Sequence, residues 1–151
     1  METDSKITII AEAGVNHNGE LEIARELVDA AASAGADYVK FQSFVAEKLV
    51  SKSAQKAQYQ VENIGGDDLQ QFQMLKEMEI DEAFHKELIN YCEERNIGFL
   101  SSPFDENSME MLFDLGLRVF KVPSGEITNL PYLQKLGGMK CPIILSTGMA
   151  I

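Results

Sequence analysis

Residues 7–42 read ITIIAEAGVNHNGELEIARELVDAAASAGADYVKFQ, a predicted strand, turn, helix and second strand in succession. The β-branched beginning, Ile7 to Ala11, predicts a buried strand, and the Asn-His-Asn-Gly sequence after it predicts a turn. Apolar residues at helical spacing follow, Gly35 ends that helix, and residues 36–42 predict the second strand. A strand–helix–strand unit of this length is typical of a parallel sheet with helices outside it.

The same alternation continues along the chain after a long polar stretch, residues 43–71. That stretch is too long for a plain connector and predicts a functional loop with some helix in it. Further helices are predicted over Asp81–Arg95, Asp105–Leu115 and Asn129–Leu136, and further strands over Ile97–Leu100, Leu117–Val122 and Pro142–Leu145. The order β-α-β-α-β-α-β-α-β predicts an α/β fold with a parallel sheet.

The amino-acid composition and charge argue against several classes of protein. The 151 residues have the size of one globular domain, and their apolar content of 45% is too high for a disordered chain. The net charge of 13 − 24 = −11 argues against a nucleic-acid or polybasic membrane partner. The apolar run near the amino terminus is too short for a signal peptide or a membrane span. Two cysteines without a CxxC motif suggest neither a disulfide framework nor a zinc site, so we expect a cytoplasmic protein.

Polar side chains stand where each predicted strand ends, which is where parallel α/β proteins carry their chemistry. In chain order these residues are Glu12, Lys40, Gln42, Ser101, Ser102, Lys121, Ser124, Glu126, Ser146 and Thr147. Such residues often only meet solvent or cap the next helix, but here all five strand ends carry them. Lysines, hydroxyls and loop amides suit a phosphate, and a carboxylate among them suits proton transfer.

The remaining candidate residues favour simpler roles. His85 is expected at the surface or boundary of its helix, whose apolar side is predicted to carry Phe84, Leu88 and Tyr91. For His17, a plain loop histidine and a substrate contact stay equally open. Cys92 and Cys141 are interpreted as small buried hydrophobic residues. A Schiff base on Lys40 or Lys121 is a further, less favoured possibility.

Five stretches of the sequence together resemble the sialic acid synthase family. In chain order they are Ile9–Gly19, Val39–Gln42, Ser101–Asp105, Phe120–Glu126 and Leu145–Met149. The family contains N-acetylneuraminate synthases and the related legionaminate and pseudaminate synthases. Residues 56–60 with Gly65 and Gly66 are more similar to the bacterial legionaminate branch.

The resemblance implies a (β/α)8 TIM-barrel fold, followed in the family by a small antifreeze-like domain. Residues 1–151 then correspond to the amino-terminal portion, a partial barrel of about five parallel strands and four to five helices. The rest of the barrel and the antifreeze-like domain are expected to lie outside these residues.

The resemblance also implies the chemistry. Carbon 3 of phosphoenolpyruvate attacks the open-chain aldehyde of an N-acylated hexosamine, of the N-acetylmannosamine type in an N-acetylneuraminate synthase. Water adds at carbon 2, and phosphate leaves by C–O cleavage. Glu12 and Glu126 match the two active-site glutamates, with their individual roles left open. Substrate-binding positions are matched by Lys40, Gln42, Ser102, Lys121, Ser124 and Ser146, where Ser102 replaces a threonine common in relatives.

A divalent metal, manganese or magnesium, polarises the aldehyde in the family. The family's metal-binding histidines lie beyond residue 151, as does an arginine that each subunit of the dimer lends to its partner. Residues 1–151 alone are therefore expected to be inactive. Two alternatives stay open: another phosphoenolpyruvate-condensing barrel that acts on a different aldehyde, and a non-catalytic module that binds a phosphorylated ligand or assembles with another chain.

Overall fold

The computed structural model describes residues 7–49 and 67–148. The strands are β1 Ile10–Gly14, β2 Tyr38–Ser43, β3 Gly98–Pro103, β4 Phe120–Val122 and β5 Ile143–Leu145. Among the described residues, the α-helices are α1 Leu21–Ser33, α2 Asp67–Met78, α3 Glu82–Glu94, α4 Glu106–Asp114 and α5 Leu130–Gly138, and a 3₁₀ turn spans Ser124–Glu126. The predicted α/β order is confirmed. Much of the predicted loop, including residues 50–66 and the motif at 56–60, lies outside the described residues.

All strand pairs in the described part of the chain are parallel. Strand β2 pairs with both β1 and β3, and β4 pairs with β5. Strands β3 and β4 adjoin without a hydrogen-bonded ladder between them. Because parallel strands end on the same side, the segments that follow them are gathered at one rim.

Two apolar cores hold the helices against the strands. The first lies between β1–β3 and helices α1 and α3, where Val28, Phe41 and Leu88 are fully buried. The second joins α4 and α5 to β4 through residues that include Leu112 and Phe120. Alternate residues of β1 to β4 therefore face the helices, and the residues between them face the opposite side of the sheet.

The helix ends follow the predicted caps. Asp81 accepts a hydrogen bond from the Phe84 amide at 2.8 Å, and Asp105 accepts one from the Ser108 amide at 2.9 Å. A side-chain acceptor at this position satisfies an amide that has no partner inside the helix. Beyond the end of α1, Gly35 has a φ of +77°, a conformation that glycine adopts without steric cost.

The first and fourth strands begin later than predicted. Ile7 and Ile9 are exposed, and the register with β2 begins with Ile10 opposite Tyr38. The Ile9 carbonyl accepts hydrogen bonds from the amides of Asp37 and Tyr38 just before that ladder. The segment predicted to begin β4 is held by the end of α4 instead. The Leu117 amide donates to Leu112, and Arg118 donates to the carbonyl oxygens of Phe113 and Leu117.

Helix α5 continues through Gly138, two residues past its predicted end at Leu136. Its cap is Met139, and Lys140 takes the positive φ of +55° that usually falls to a glycine. Two glycines lower helix propensity, but they do not prevent a helix whose buried face includes Tyr132 and Leu136. None of the described helices combines the length and the apolar character needed to cross a membrane.

The prediction that His85 lies at the surface or boundary of its helix was wrong. Its side chain is fully buried with Leu88 and Cys92, at i, i+3 and i+7 on the inner face of α3. Tyr91, predicted for the apolar side, is only partly buried. Cys92 is buried as expected, and Cys141 is only partly buried.

The buried histidines predict a pH-dependent stability. Burial lowers the pKa of His85 below its ordinary value of 6.5, and burial followed by the nearby His85 lowers the pKa of His17. Below about pH 6.5 the unfolded chain then binds more protons than the folded one, so the unfolding free energy falls as pH decreases. Each histidine contributes a slope of at most about 1.4 kcal/mol per pH unit.

Denaturant unfolding of the complete protein between pH 7 and pH 5 measures this slope. The His85→Gln variant should show a shallower decrease than the wild type. Equal slopes in the two proteins would contradict the assignment.

Candidate active site

Glu12 and Lys40 form an ion pair on the side of the sheet that faces away from the helices. They are register partners on β1 and β2, and Lys40 Nζ lies 2.5 Å from Glu12 Oε2. Lys40 is only 8% exposed, whereas the Glu12 side chain is 55% exposed. A nearly buried ammonium group is costly without a counter-charge, and Glu12 supplies it while remaining open to solvent.

Lys121 joins this pair from β4. Its neighbours Phe120 and Val122 are fully buried against the helices, so Lys121 points to the opposite face, as Lys40 does. Its Nζ donates to the carbonyl oxygen of Val122 at 3.1 Å. Burial, and then the charge of Lys40, lower the pKa of Lys121, and Glu12 opposes the shift. Two lysines therefore lie near one carboxylate that pairs with Lys40, and this local excess of positive charge suits an anion.

Gln42 and Ser102 add neutral hydrogen-bonding groups on the same face. They are register partners on β2 and β3, and Ser102 is 2% exposed. Gly14, with a φ of +59°, lies beside them: a Cβ added there would be 3.4 Å from Glu12 Oε1 and 3.8 Å from Gln42 Nε2. Five of the predicted site residues are thus brought together at the ends of β1 to β4.

The other three predicted residues lie in the segments after β4 and β5. Ser124 and Glu126 belong to the 3₁₀ turn, where Ser124 is exposed and Glu126 is buried. Asn129 Nδ2 donates to Glu126 Oε2 at 2.5 Å. The Ser146 amide donates to the Val122 carbonyl at 3.0 Å, and a Cβ at Gly148 would lie only 2.9 Å from Ser124 Cβ. The two segments pack against each other, so these three residues form a second group.

Tyr132, which sequence reasoning did not select, connects the second group to β3. It is buried in α5, and its hydroxyl donates to the Pro103 carbonyl at 2.8 Å, one residue after Ser102. Burial, and then the carboxylates of Glu126 and Asp105, raise the pKa of Tyr132 well above its ordinary value. Glu126 and the end of β3 therefore both lie close to the Tyr132 side chain.

Removing this hydroxyl should destabilise the protein. Tyr132→Phe leaves a buried carbonyl without its donor, which costs about 1–3 kcal/mol of unfolding free energy. Tyr91→Phe is the matched control, because its hydroxyl bonds Asp29 nearer the surface and should cost about 0.5 kcal/mol. Denaturant unfolding measures both, and equal losses would contradict the role assigned to Tyr132.

Two sets of buried polar side chains behind the site were also missed. Asp105 accepts hydrogen bonds from the Val45 amide at 2.8 Å and from both the amide and the hydroxyl of Ser108. In the second set, the His85 side chain is hydrogen-bonded to the Ser43 hydroxyl, and the Ser43 hydroxyl is hydrogen-bonded to the Ser101 hydroxyl. Cap chemistry identified Asp105, and the spacing of His85 with Leu88 and Cys92 is the signal that could have identified the histidine.

His17 is not accessible to a substrate in the described structure. It is fully buried, with its ring centroid 5.6 Å from that of Phe84 and 6.1 Å from that of Phe41. Its Nδ1 accepts a hydrogen bond from the Gly19 amide at 3.0 Å, while its Nε2 has no hydrogen-bond partner among the residues that the structure describes. Of the two interpretations left open for His17, the structure favours the plain loop histidine.

Metal ligands and a surface cleft are two further features of the described structure. Within residues 7–49 and 67–148, no three His, Cys, Asp or Glu side chains come together in a way that could hold a metal. A cleft of about 450 Å³ lies at the opposite ends of the strands, beside Gly98 and Val119, and none of the predicted site residues lines it.

The chain is similar to curated proteins over nearly its whole length. The chain is 54% identical over 145 residues to an N,N'-diacetyllegionaminic acid synthase of Campylobacter jejuni, covering 96% of this chain and 43% of that protein. It is 51% identical to the protein of the same name from Legionella pneumophila, covering 93% and 39%. The chain therefore spans about two fifths of the length of the curated relatives it matches.

The chain is also similar to a solved structure and matches a protein family. The crystal structure of an N-acetylneuraminic acid synthetase from Leptospira borgpetersenii superposes with a TM-score of 0.80 at 28% identity, covering 96% of this chain and 46% of that one. The fold is thus part of a TIM-type barrel, as predicted. Residues 27–151 match the NeuB family. The chain belongs to the NeuB family, whose related members are synthases of legionaminic, sialic and pseudaminic acids.

Proposed function

We propose that this chain is the amino-terminal portion of a nonulosonic acid synthase that condenses phosphoenolpyruvate with an N-acylated hexosamine. The observation that carries the proposal is the arrangement of Lys40 and Lys121 around Glu12, on the face of the sheet away from the helices. In a chain of net charge −11, two lysines near one carboxylate form a local site for an anion.

The phosphate and carboxylate of phosphoenolpyruvate are the anions we assign to this site. Lys40 and Lys121 supply charge-assisted hydrogen bonds, and four neutral residues, Gln42, Ser102, Ser124 and Ser146, supply further donors. The same donors stabilise the charge that grows on the phosphate oxygen as it leaves.

The proposed reaction leaves two steps to the glutamates. Carbon 3 of phosphoenolpyruvate forms a bond to the aldehyde carbon, a water oxygen bonds carbon 2, and the bond from carbon 2 to the phosphate oxygen breaks. The water oxygen becomes the carbonyl oxygen of carbon 2 and so loses two protons; one ends on the former aldehyde oxygen, which becomes a hydroxyl, and the other on the released phosphate, and a carboxylate can carry them. Glu12 and Glu126 are the candidates for that transfer and for orienting the intermediate; which of them does which is left open.

The aldehyde substrate we favour carries two acetamido groups. The relatives with 51% and 54% identity are named for a diacetylated product, whereas the N-acetylneuraminic acid synthetase is 28% identical. A product with two N-acetyl groups requires a hexosamine that already bears both. Synthesis of N-acetylneuraminate from N-acetylmannosamine is the second candidate function.

Three further properties belong to the same proposal. A divalent metal would supply Lewis-acid polarisation of the aldehyde. The described residues do not fit a metal site, so we assign its ligands to other parts of the complete protein and route no step through it. We also expect a homodimer. Cys92 and Cys141 are free, which fits the reducing cytoplasm.

The test uses the complete protein with phosphoenolpyruvate labelled with ¹⁸O in the oxygen that joins carbon 2 to phosphorus. It is incubated with a diacetamido aldose or with N-acetylmannosamine, and products are analysed by mass spectrometry. We expect a nine-carbon acid, faster from the diacetamido sugar, and the label in the released phosphate. Label in the sugar acid would contradict C–O cleavage, and binding without product would favour the non-catalytic module.

A further inference from the structure

Behind the proposed phosphate site lies a chain of buried hydrogen bonds made by side chains to which the reaction assigns no role. His85, Ser43 and Ser101 are each fully buried. His85 Nδ1 lies 2.7 Å from the Asp81 carbonyl oxygen, and His85 Nε2 lies 2.7 Å from Ser43 Oγ. Ser43 Oγ lies 2.7 Å from Ser101 Oγ. This series of hydrogen bonds runs from the first turn of α3 across the carboxyl ends of β2 and β3.

The direction of these hydrogen bonds follows from the carbonyl at one end. The Asp81 oxygen can only accept, so His85 Nδ1 carries the proton and donates it. In the neutral ring, which burial favours, Nε2 then accepts from the Ser43 hydroxyl. The oxygen of Ser43 is left to accept from the Ser101 hydroxyl. Each group in the series has a partner, so the arrangement is specific.

This series faces the helices, while the proposed phosphate ligands face the other side of the sheet. Ser43 directly follows Gln42, and Ser101 directly precedes Ser102, so each serine points away from its neighbour. Gln42 and Ser102 are themselves register partners. The Phe104 amide also donates to the Ser43 carbonyl at 2.9 Å, which ties the two strand ends a second time.

We propose that His85 is a positioning residue which, through Ser43 and Ser101, holds Gln42 and Ser102 at the spacing that binds the phosphate of phosphoenolpyruvate. This role rests on the proposed function. His85 does not touch the substrate, because its contacts lie on the helix side of the sheet. Its effect reaches the site through the backbone of two adjacent strand ends.

The test is steady-state kinetics of the complete protein with Ser43→Ala, a small change at the centre of the series. The KM for phosphoenolpyruvate should rise by roughly three- to tenfold, as for loss of about one hydrogen bond. The KM for the aldose and the kcat should stay near the wild-type values. Weaker binding of phosphoenolpyruvate that is equal in the ground state and in the transition state raises only the KM for phosphoenolpyruvate. The affinity for inorganic phosphate, used as a competitive inhibitor, should decrease by a similar factor.

Ser108→Ala is the matched control. It removes an equally small buried hydroxyl, while Asp105 keeps its bonds to the amides of Val45 and Ser108. Its KM for phosphoenolpyruvate should not change. A second pair of variants tests the histidine: His85→Gln offers an amide oxygen to the Ser43 hydroxyl and should restore much of the affinity that His85→Leu loses.

The outcomes separate this inference from the proposed function. A wild-type protein that forms no product and binds no phosphoenolpyruvate would overturn both. An active wild type with an unchanged KM in Ser43→Ala would overturn only the positioning role. Equal increases in Ser43→Ala and Ser108→Ala would also overturn it, since general loosening of the core would then explain the effect.

Discussion

Replacing Lys121 by alanine in the complete protein should weaken phosphoenolpyruvate binding by about tenfold or more. A charge-assisted hydrogen bond to a phosphate contributes about 1.5–3 kcal/mol, and its loss accounts for that factor. Lys121 lies close enough to Lys40 for that charge to lower its pKa. A bound phosphate relieves this repulsion, and alanine removes both the repulsion and the contact.

Isothermal titration calorimetry with phosphoenolpyruvate measures the effect of Lys121→Ala. Lys86→Ala is the control, because Lys86 is exposed on α3 and pairs with Glu82 at 2.5 Å, away from the sheet. It should bind phosphoenolpyruvate like the wild type. If Lys121→Ala also kept the wild-type affinity, Lys121 would not belong to the site.

Replacing Glu126 by glutamine should reduce kcat by about a hundredfold or more and leave substrate binding largely intact. General acid–base catalysis contributes about 10²–10⁴ in rate, and an amide cannot perform it. Glu126 is 8% exposed and accepts a hydrogen bond from Asn129. Glutamine has nearly the same shape and retains an oxygen for that bond, so the turn from Ser124 to Glu126 should survive.

Phosphate release under saturating substrates measures kcat, and calorimetry measures phosphoenolpyruvate affinity. Glu82→Gln makes the same change on the exposed face of α3 and should be silent in both measurements. A Glu126→Gln enzyme with normal turnover would remove Glu126 from catalysis. A loss of affinity equal to the loss of rate would assign it to binding instead.

The order of elements and several helix ends were predictable because their causes are local. Asp81 and Asp105 cap their helices through amides three residues away. Gly35 and Gly116 take positive φ angles two residues past the ends of α1 and α4. These interactions lie within one helical turn, so the sequence alone contains them.

Strand bounds were less predictable because each strand depends on a neighbour distant in the chain. Ile7 to Ile9 have strand-like composition, yet the ladder of β1 begins at Ile10, opposite Tyr38 of β2. Leu117 is apolar, yet its amide bonds the end of α4. Composition predicts that a strand exists, and hydrogen bonds between distant segments decide where it begins.

The sequence by itself determined the α/β alternation, the position of polar side chains at strand ends, and the motifs shared with the family. These properties are written in local periodicity and residue type. Only the tertiary structure decided that Glu12 pairs with Lys40, that Lys121 interacts electrostatically with both, and that His85 is buried behind Gln42. Such contacts depend on strand register and on which side of the sheet each residue faces. Both are properties of packed strands, because a shift of one residue would turn every side chain to the other face.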